Sequence, residues 1–401
     1  MVPKTLSCKL PDSATSPRQK LANCLLHPNL VLAVYCLAAL IATLVKLAPG
    51  PFEQNGIHYQ PLQNFAIFRN SFYHLIHHQN LYAQFDFEQW DFYRYSPAFA
   101  LLFAPFALLP YALGAALWNL LNAAALYWAV RWAPSLDDRQ KMLALWFMFL
   151  AMLNSVANAQ SNALVAALMI FAWSAHERDK PDAPALLIVL ATFIKLFGIF
   201  ALLPCLLLRK RRRNLLVFTA AWAAMFTLAP LFVLTFNELG LLYRNWYATL
   251  LTFNQARLGI SVMGFLRSWL HLAPPSNYVV AAGAAILIAT SLLNRHSRIL
   301  VMASVLIFVT IFNYAAESPS YVIAVSGVAL WFFSQPRTGV NLALLAATFL
   351  FTMLASTDLI PRSLRHELLE PYVVKVLPCL AVWLKIGTEP LFARSLTTSK
   401  Q

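Results

Sequence analysis

The sequence predicts an all-α integral membrane protein, a bundle of about eleven to twelve transmembrane helices with interfacial helices in a long first exported loop. Three observations carry that prediction. The 401 residues are 60% hydrophobic and only 11% charged, where a soluble domain carries about 25% charged residues. Apolar runs of spanning or near-spanning length recur along the chain. Lys and Arg gather in the intervals between them. The mean hydropathy of +0.62 excludes one globular core, because single cores stop growing near roughly 250–300 residues. Lipid is the remaining solvent.

The apolar runs lie near 29–48, 97–109, 111–131, 140–153, 159–176, 183–208, 214–235, 278–293, 299–313, 319–334, 339–355 and 370–386. The first starts near Asn29 and lacks a small-residue cleavage site, so it reads as a spanning helix and not as a signal peptide. Several runs are short for a hydrocarbon layer of about 30 Å, which implies re-entrant helices or a cavity cut into one face. Lys195 interrupts the 183–208 run near its middle, a place where two half-helices can turn.

Positive charge orients the bundle. Lys4, Lys9, Arg18 and Lys20 precede the first run against a single Asp12, and Arg209-Lys210-Arg211-Arg212-Arg213 is the strongest basic cluster. Arg295, Arg298, Arg337, Lys385, Arg394 and Lys400 follow at intervals that fit alternate cytoplasmic loops. The expected organisation is a cytoplasmic arm at 1–28, a polytopic domain at 29–387 and a cytoplasmic tail at 388–401. Residues 49–95, 236–277 and the short stretch 313–319 are then exported, while the topology of 131–183 is not set by charge. The net charge of +14 is the usual excess of cytoplasmic loops, and no nucleic-acid partner is expected.

Loop one has a pattern of its own. Within 63–79, Phe65, Phe68, Phe72, Leu75 and Ile76 share one helical face, with Asn70, His74, His77 and His78 opposite. That is the signature of a helix lying on the membrane, apolar side down. Trp90, Phe92, Tyr93 and Tyr95 mark the return to the headgroup level. Leu239, Leu242, Tyr243, Trp246 and Leu250 repeat the pattern in the second exported stretch.

Ionisable groups inside a bilayer cost about 2.5–3.5 kcal/mol each, so each needs a reason. Lys195 either faces an anionic ligand such as a phosphate or pairs two helices. Glu317 either binds a hydroxyl, acts as a base or pairs with Lys195, or else caps a helix before Pro319. Asp86, Glu88 and Asp91 are solvated loop carboxylates unless one accepts a proton from an attacking hydroxyl. Asp91 is the best placed, beside the aromatic belt and Arg94. Gln160-Ser161-Asn162 breaks two apolar segments, and it can hydrogen-bond a sugar or phosphate or satisfy a kinked backbone. The histidines at 74, 77 and 78 have no carboxylate at metal-binding spacing, and five scattered cysteines (Cys8, Cys24, Cys36, Cys205, Cys379) form no C-x-x-C pair. No metal site is expected. The chain has no Walker loop, no G-x-G-x-x-G and no zincin motif, and no cofactor is expected.

The order of motifs resembles a known family. Arg94-Tyr95-Ser96-Pro97 leads to Leu109-Pro110, then to Leu117-Trp118-Asn119-Leu120-Leu121-Asn122, to Gln160-Ser161-Asn162 and to Ile194-Lys195. This resembles glycosyltransferase family 87, whose pattern reads roughly Tyr-x-Tyr-Pro-Pro, Leu-Pro, Trp-x-x-x-Asn, Gly-Gln-x-Asn and Ile-Lys. The likeness is good over about residues 60–215. It implies a GT-C-like membrane fold and transfer of a sugar, mannose in much of the family, from a polyprenyl-phosphate donor to a glycolipid or glycan acceptor on the exported face. The partners are then those two substrates and membrane lipids. The expected location is a bacterial inner (plasma) membrane with both termini cytoplasmic. Lys195, Arg94, Tyr95, Gln160 and Asn162 fall to substrate binding. The family's catalytic Asp, at the start of the interfacial helix, is met here by Asn64, which takes no proton at neutral pH. Either Asp91 or Glu317 replaces it, or the chemistry differs, or transfer is lost. A transporter or flippase of a lipid-linked saccharide and a non-catalytic partner of a glycan-assembly complex are the alternatives.

Overall fold

A computed structural model describes Gln19 and residues 23–54, 56–180, 182–207, 211–253, 259–357 and 360–398. The expectations for Lys4, Cys8, Lys9, Asp12, Arg18, Lys20, Arg209, Lys210 and Lys400 lie outside the described residues.

Helix α1 (Pro28–Leu47) opens with Pro at its first turn, where the missing N–H is harmless. A two-stranded antiparallel ribbon follows, β1 (Phe52–Gln54) and β2 (Ile57–Tyr59), with Phe52 opposite Tyr59. The all-α expectation omitted it, because three-residue strands are too short to show alternation. Helices α2 (Gln63–Ile76), α3 (Pro97–Leu102), α4 (Ala104–Ala107), α5 (Tyr111–Trp132), α6 (Asp138–Ala157), α7 (Asn162–Glu177) and α8 (Ala183–Ile194) form the first half. A tight 3-10 segment at Leu196–Ala201 leads into α9 (Leu202–Leu206), then α10 (Arg212–Leu228), α11 (Phe236–Phe253), α12 (Val262–Leu270) and α13 (Ser276–Leu293). The chain closes with α14 (Arg298–Ile311), α15 (Tyr321–Ser334), α16 (Gly339–Ala347) and α17 (Leu377–Thr398).

Among the described residues, five helices are long and apolar enough to cross a membrane: Pro28–Leu47, Tyr111–Trp132, Asp138–Ala157, Arg212–Phe232 and Ser276–Leu293. Their outward faces carry exposed apolar side chains, such as Leu37, Ile41 and Leu44 on α1 and Ile286, Ile288 and Leu292 on α13. Five more apolar segments are shorter. Of the expected eleven or twelve spans, five are thus long helices and five are shorter segments; among the short ones Gly339–Met353 exposes Val340 and Leu342, whereas two others can stay short because they are interior. Helices α14 and α15 show why. Each has 14 residues, about 21 Å of helix, against about 30 Å of hydrocarbon. Every side chain from Ile299 to Ile311 and from Tyr321 to Phe333 is buried, so protein and not lipid is their solvent. They approach closely at Gly327, where a Cβ would stand 2.5 Å from the Ala303 carbonyl oxygen.

The amphipathic helix in loop one exists, but its apolar face is not turned to lipid. Phe65 and Phe68 on α2 are fully buried. Phe68 packs 4.8 Å from Tyr95 and 5.8 Å from Trp118, and Phe65 packs 5.1 Å from Tyr111. An amphipathic pattern says only that one face avoids water; α3, α4 and α5 supply the apolar surface here. The histidines go separate ways. His74 is buried against Phe85 and lies 2.9 Å from Glu88, His77 stacks on Tyr73, and His78 meets Glu238 at 2.9 Å. Burial holds the His74 imidazole below its ordinary value, with Glu88 pulling the other way.

The 183–208 run breaks at Lys195, which is extended (φ −142°, ψ 120°) and ends α8. The chain then folds back so tightly that a Cβ on Gly198 would stand 2.4 Å from the Ala191 carbonyl carbon. Gly198→Ala is therefore expected to destabilise the fold by about 1–3 kcal/mol through overpacking. A melting temperature in detergent equal to that of the unaltered protein would contradict this close approach.

Candidate active site

The site is assembled from three chain breaks. The first is the extended segment before α3. The Trp246 indole donates to the Arg94 carbonyl at 3.1 Å, and the Tyr82 hydroxyl donates to the Tyr95 carbonyl at 2.9 Å. Ser96 stands where the family pattern has Pro. Its hydroxyl accepts the Phe99 N–H, capping α3, and donates to the Phe193 carbonyl at 2.6 Å. The start of α3 is thereby tied to the end of α8, two residues before Lys195. Within this segment Asp91 pairs with Arg94 through Oδ1. The same Oδ1 accepts the Phe92 N–H at 2.8 Å.

The second break is the Gln160-Ser161-Asn162 turn between α6 and α7. Trp118 and Asn122, one turn apart on α5, hold it. The Trp118 indole donates to the Ala159 carbonyl at 2.9 Å, and Asn122 Oδ1 accepts the Leu164 N–H at 3.0 Å. Ala159 itself has φ +49°, a left-handed backbone that Gly adopts without penalty. That accounts for Gly in the family pattern at this place, and for a local strain here.

The third break carries Glu317, between α14 and α15, where it caps the turn that starts α15. A chain of hydrogen bonds joins all three. Lys195 Nζ donates to Asn162 Oδ1 at 2.6 Å, Asn162 Nδ2 donates to Gln160 Oε1, and Gln160 Nε2 donates to Glu317 Oε2 at 2.9 Å. Neutral amides thus connect the half-buried ammonium to a carboxylate, and of the readings open for Glu317, direct pairing with Lys195 gives way to this relay.

These side chains surround a cavity of about 210 Å³. Asn64, Asp91, Arg94, Tyr95, Gln160, Lys195 and Glu317 line it, whereas Asn162 sits behind Lys195 as its hydrogen-bond partner. Asn64 is placed by α2 and donates to the Asn158 carbonyl at 3.0 Å. Asp86 and Glu88 are not in the lining; Asp86 accepts from Gln84 and Glu88 faces His74. Lys195 Nζ lies 5.9 Å from the Tyr95 ring centre. Phe92, Leu196, Phe197, Trp246 and Leu250 add an apolar wall. Asn313, Tyr314 and Ser320 also line the cavity, and the sequence reading missed them. Their only signal was a polar interruption, 313–320, between two apolar runs.

The arrangement suits an amphiphile. Cations can hold an anionic group, carboxylates and amides can meet hydroxyls, and the apolar wall can take a lipid chain. Among the described residues, no group of three or more His, Cys, Asp or Glu side chains is placed to hold a metal ion.

None of the curated proteins compared with the chain matches it. A family model does. Its match begins at Phe92, one residue after Asp91, and runs to Thr357, taking in the whole cavity lining except Asn64, Ile67 and Asp91. With residues 92–357 matched, the chain belongs to glycosyltransferase family 87.

Proposed function

We propose that this membrane glycosyltransferase moves a sugar, mannose in the family's usual case, from a polyprenyl-phosphate donor to a hydroxyl of a glycolipid or glycan acceptor. The reaction runs on the exported face of a GT-C-like bundle in a bacterial inner membrane, with both termini cytoplasmic. The observation that supports this most is the shared cavity, in which a half-buried ammonium and an Arg–Asp pair face one space beside an apolar wall.

In this reading Lys195, with Arg94, meets the donor phosphate and stabilises the charge that grows as the sugar–phosphate bond breaks. Asp91 accepts the proton of the acceptor hydroxyl as its oxygen bonds to the sugar carbon. Both hydrogen bonds to the Asp91 carboxylate fall on Oδ1, so Oδ2 is the oxygen that takes the proton. Glu317 acts through Gln160 and Asn162, fixing the direction of the Lys195 ammonium. Tyr95 supplies a ring face beside that cation. The turn that follows α2 is joined to α11 across the exported side by His78–Glu238 and by the Asn245 amide on Asn80, and so helps hold the substrates in register.

Asn64 keeps a second reading open, that of a non-catalytic partner, since it lines the cavity without being able to act as a base. Purified protein in vesicles, given a labelled polyprenyl-phosphate sugar and a lipid extract, separates the readings. Label transferred to an acceptor is the expected result. Label carried across the vesicle without transfer indicates a transporter, and neither outcome indicates a scaffold.

A further inference from the structure

Asn313 and Tyr314, on the turn between α14 and α15, line the cavity but take no part in the relay from Lys195 to Glu317. Their backbone is held firmly by the chain that enters α12. The Ile260 N–H donates to the Ala316 carbonyl at 2.8 Å, and the Tyr321 hydroxyl donates to the Ile260 carbonyl at 2.8 Å. Gly259, at φ +47°, lies so close that a Cβ there would meet the Tyr314 carbonyl. A side chain on such a turn is presented in a fixed place.

The polar ends of both side chains are available. Asn313 Oδ1 accepts the Ala315 N–H at 2.9 Å, which fixes the amide and leaves its two Nδ2 donors. The Tyr314 ring is half-buried against the core. Among the described residues, nothing accepts from Asn313 Nδ2 or bonds the Tyr314 hydroxyl. Burial raises the Tyr314 phenol above its ordinary value, with Arg94 pulling the other way. It is therefore a neutral hydroxyl at neutral pH, able to donate and to accept.

The cavity is also divided by charge. Its cations, Arg94 and Lys195, come from the segment before α3 and the end of α8, and the 313–320 turn adds none. An anionic group goes to the cations. Neutral donors and acceptors on a rigid turn suit a group rich in neutral hydroxyls, and a site built to bond a substrate hydroxyl discriminates sharply against a substrate that lacks it.

We propose that Tyr314 and Asn313 are specificity-determining residues for the transferred sugar, the Tyr314 hydroxyl and the Asn313 amide bonding hydroxyls of the sugar ring and not its phosphate. This rests on the sugar-transfer reading above.

The probes are polyprenyl-phosphate mannose, polyprenyl-phosphate glucose and bare polyprenyl phosphate, with retention in nanodiscs read by native mass spectrometry. Tyr314→Phe keeps the ring and removes only the hydroxyl. It is expected to weaken retention of the better-held sugar-bearing lipid about three- to tenfold, the usual effect of one neutral hydrogen bond, and to leave bare polyprenyl phosphate unchanged. Asn313→Ser, which can still accept the Ala315 N–H but loses the amide donors, should do the same. Unchanged retention of both sugar-bearing lipids by both variants overturns the proposal. An equal loss for the bare lipid also overturns it, because that is the mark of a phosphate contact or of a merely structural role. In a transfer assay the ratio of kcat/KM for the two donors should shift about three- to tenfold in Tyr314→Phe, and a ratio equal to that of the unaltered protein overturns the specificity role. An unaltered protein that transfers neither sugar refutes the transfer reading, while the comparison of sugar-bearing with bare lipid still decides whether this turn binds a sugar.

Discussion

Replacing Lys195 with Met is expected to lower sugar transfer about 10²–10³-fold, the usual loss when one preorganised charge-stabilising donor is removed. Met nearly matches the length of the lysine stem and removes the charge and the donors. The position is fixed by the fold and not by the side chain alone. Lys195 is the extended residue at which α8 ends, and Gly198 folds the next turn back on Ala191. The main structural consequence is the loss of the hydrogen bond to Asn162, whose buried oxygen is then left to find another partner at about 1–3 kcal/mol. A modest drop in melting temperature should therefore accompany the kinetic loss. Lys195→Arg separates the two effects, since it retains charge but substitutes a planar fork for a point donor, and it should recover part of the rate. Transfer by Lys195→Met at the rate of the unaltered protein, in membranes where it is folded, would remove the phosphate role.

Asp91→Asn should cost about 10²–10⁴-fold in transfer, the range for loss of a general base. Asn can still accept from Arg94 and from the Phe92 N–H, so the loop before α3 keeps its anchors. Glu317→Gln should lose less, because Gln still offers an oxygen to the Gln160 amide and what changes is the direction of Lys195. The pH profile discriminates between them. A base must be ionised to act, so activity falls toward acid pH; that acidic limb should vanish in Asp91→Asn and persist in Glu317→Gln. The reverse pattern would move the base to Glu317. Loss of the limb in neither variant would mean that no carboxylate of this cavity takes the proton.

The sequence was most informative where lipid imposes a cost. Lys195 stood out because charge is rare within an apolar run, Glu317 because it sits in a short gap between two such runs, and Gln160-Ser161-Asn162 because an apolar helix was interrupted. Asp91 stood out by its place beside an aromatic belt. The roles of Ser96, Trp118 and Asn122 were less visible. Ser96 looked like a departure from a family pattern, yet its hydroxyl ties α3 to α8. Trp118 and Asn122 were motif letters without a mechanism until their bonds to the Ala159 carbonyl and the Leu164 N–H were seen. Tyr314 and Ser320 had no signal beyond a polar gap.

Composition and periodicity alone determined that the chain is helical and membrane-bound, where its apolar runs begin and end, and which ionisable residues needed a reason. These follow from local transfer energies, which depend on each residue and its near neighbours. Tertiary structure alone decided which short runs are interior helices, which surface covers the apolar face of α2, and that Lys195 reaches Glu317 through two amides. Those outcomes depend on contacts between residues distant in sequence, up to the 157 positions between Gln160 and Glu317, and a hydrophobic pattern records that a face is buried without recording against what.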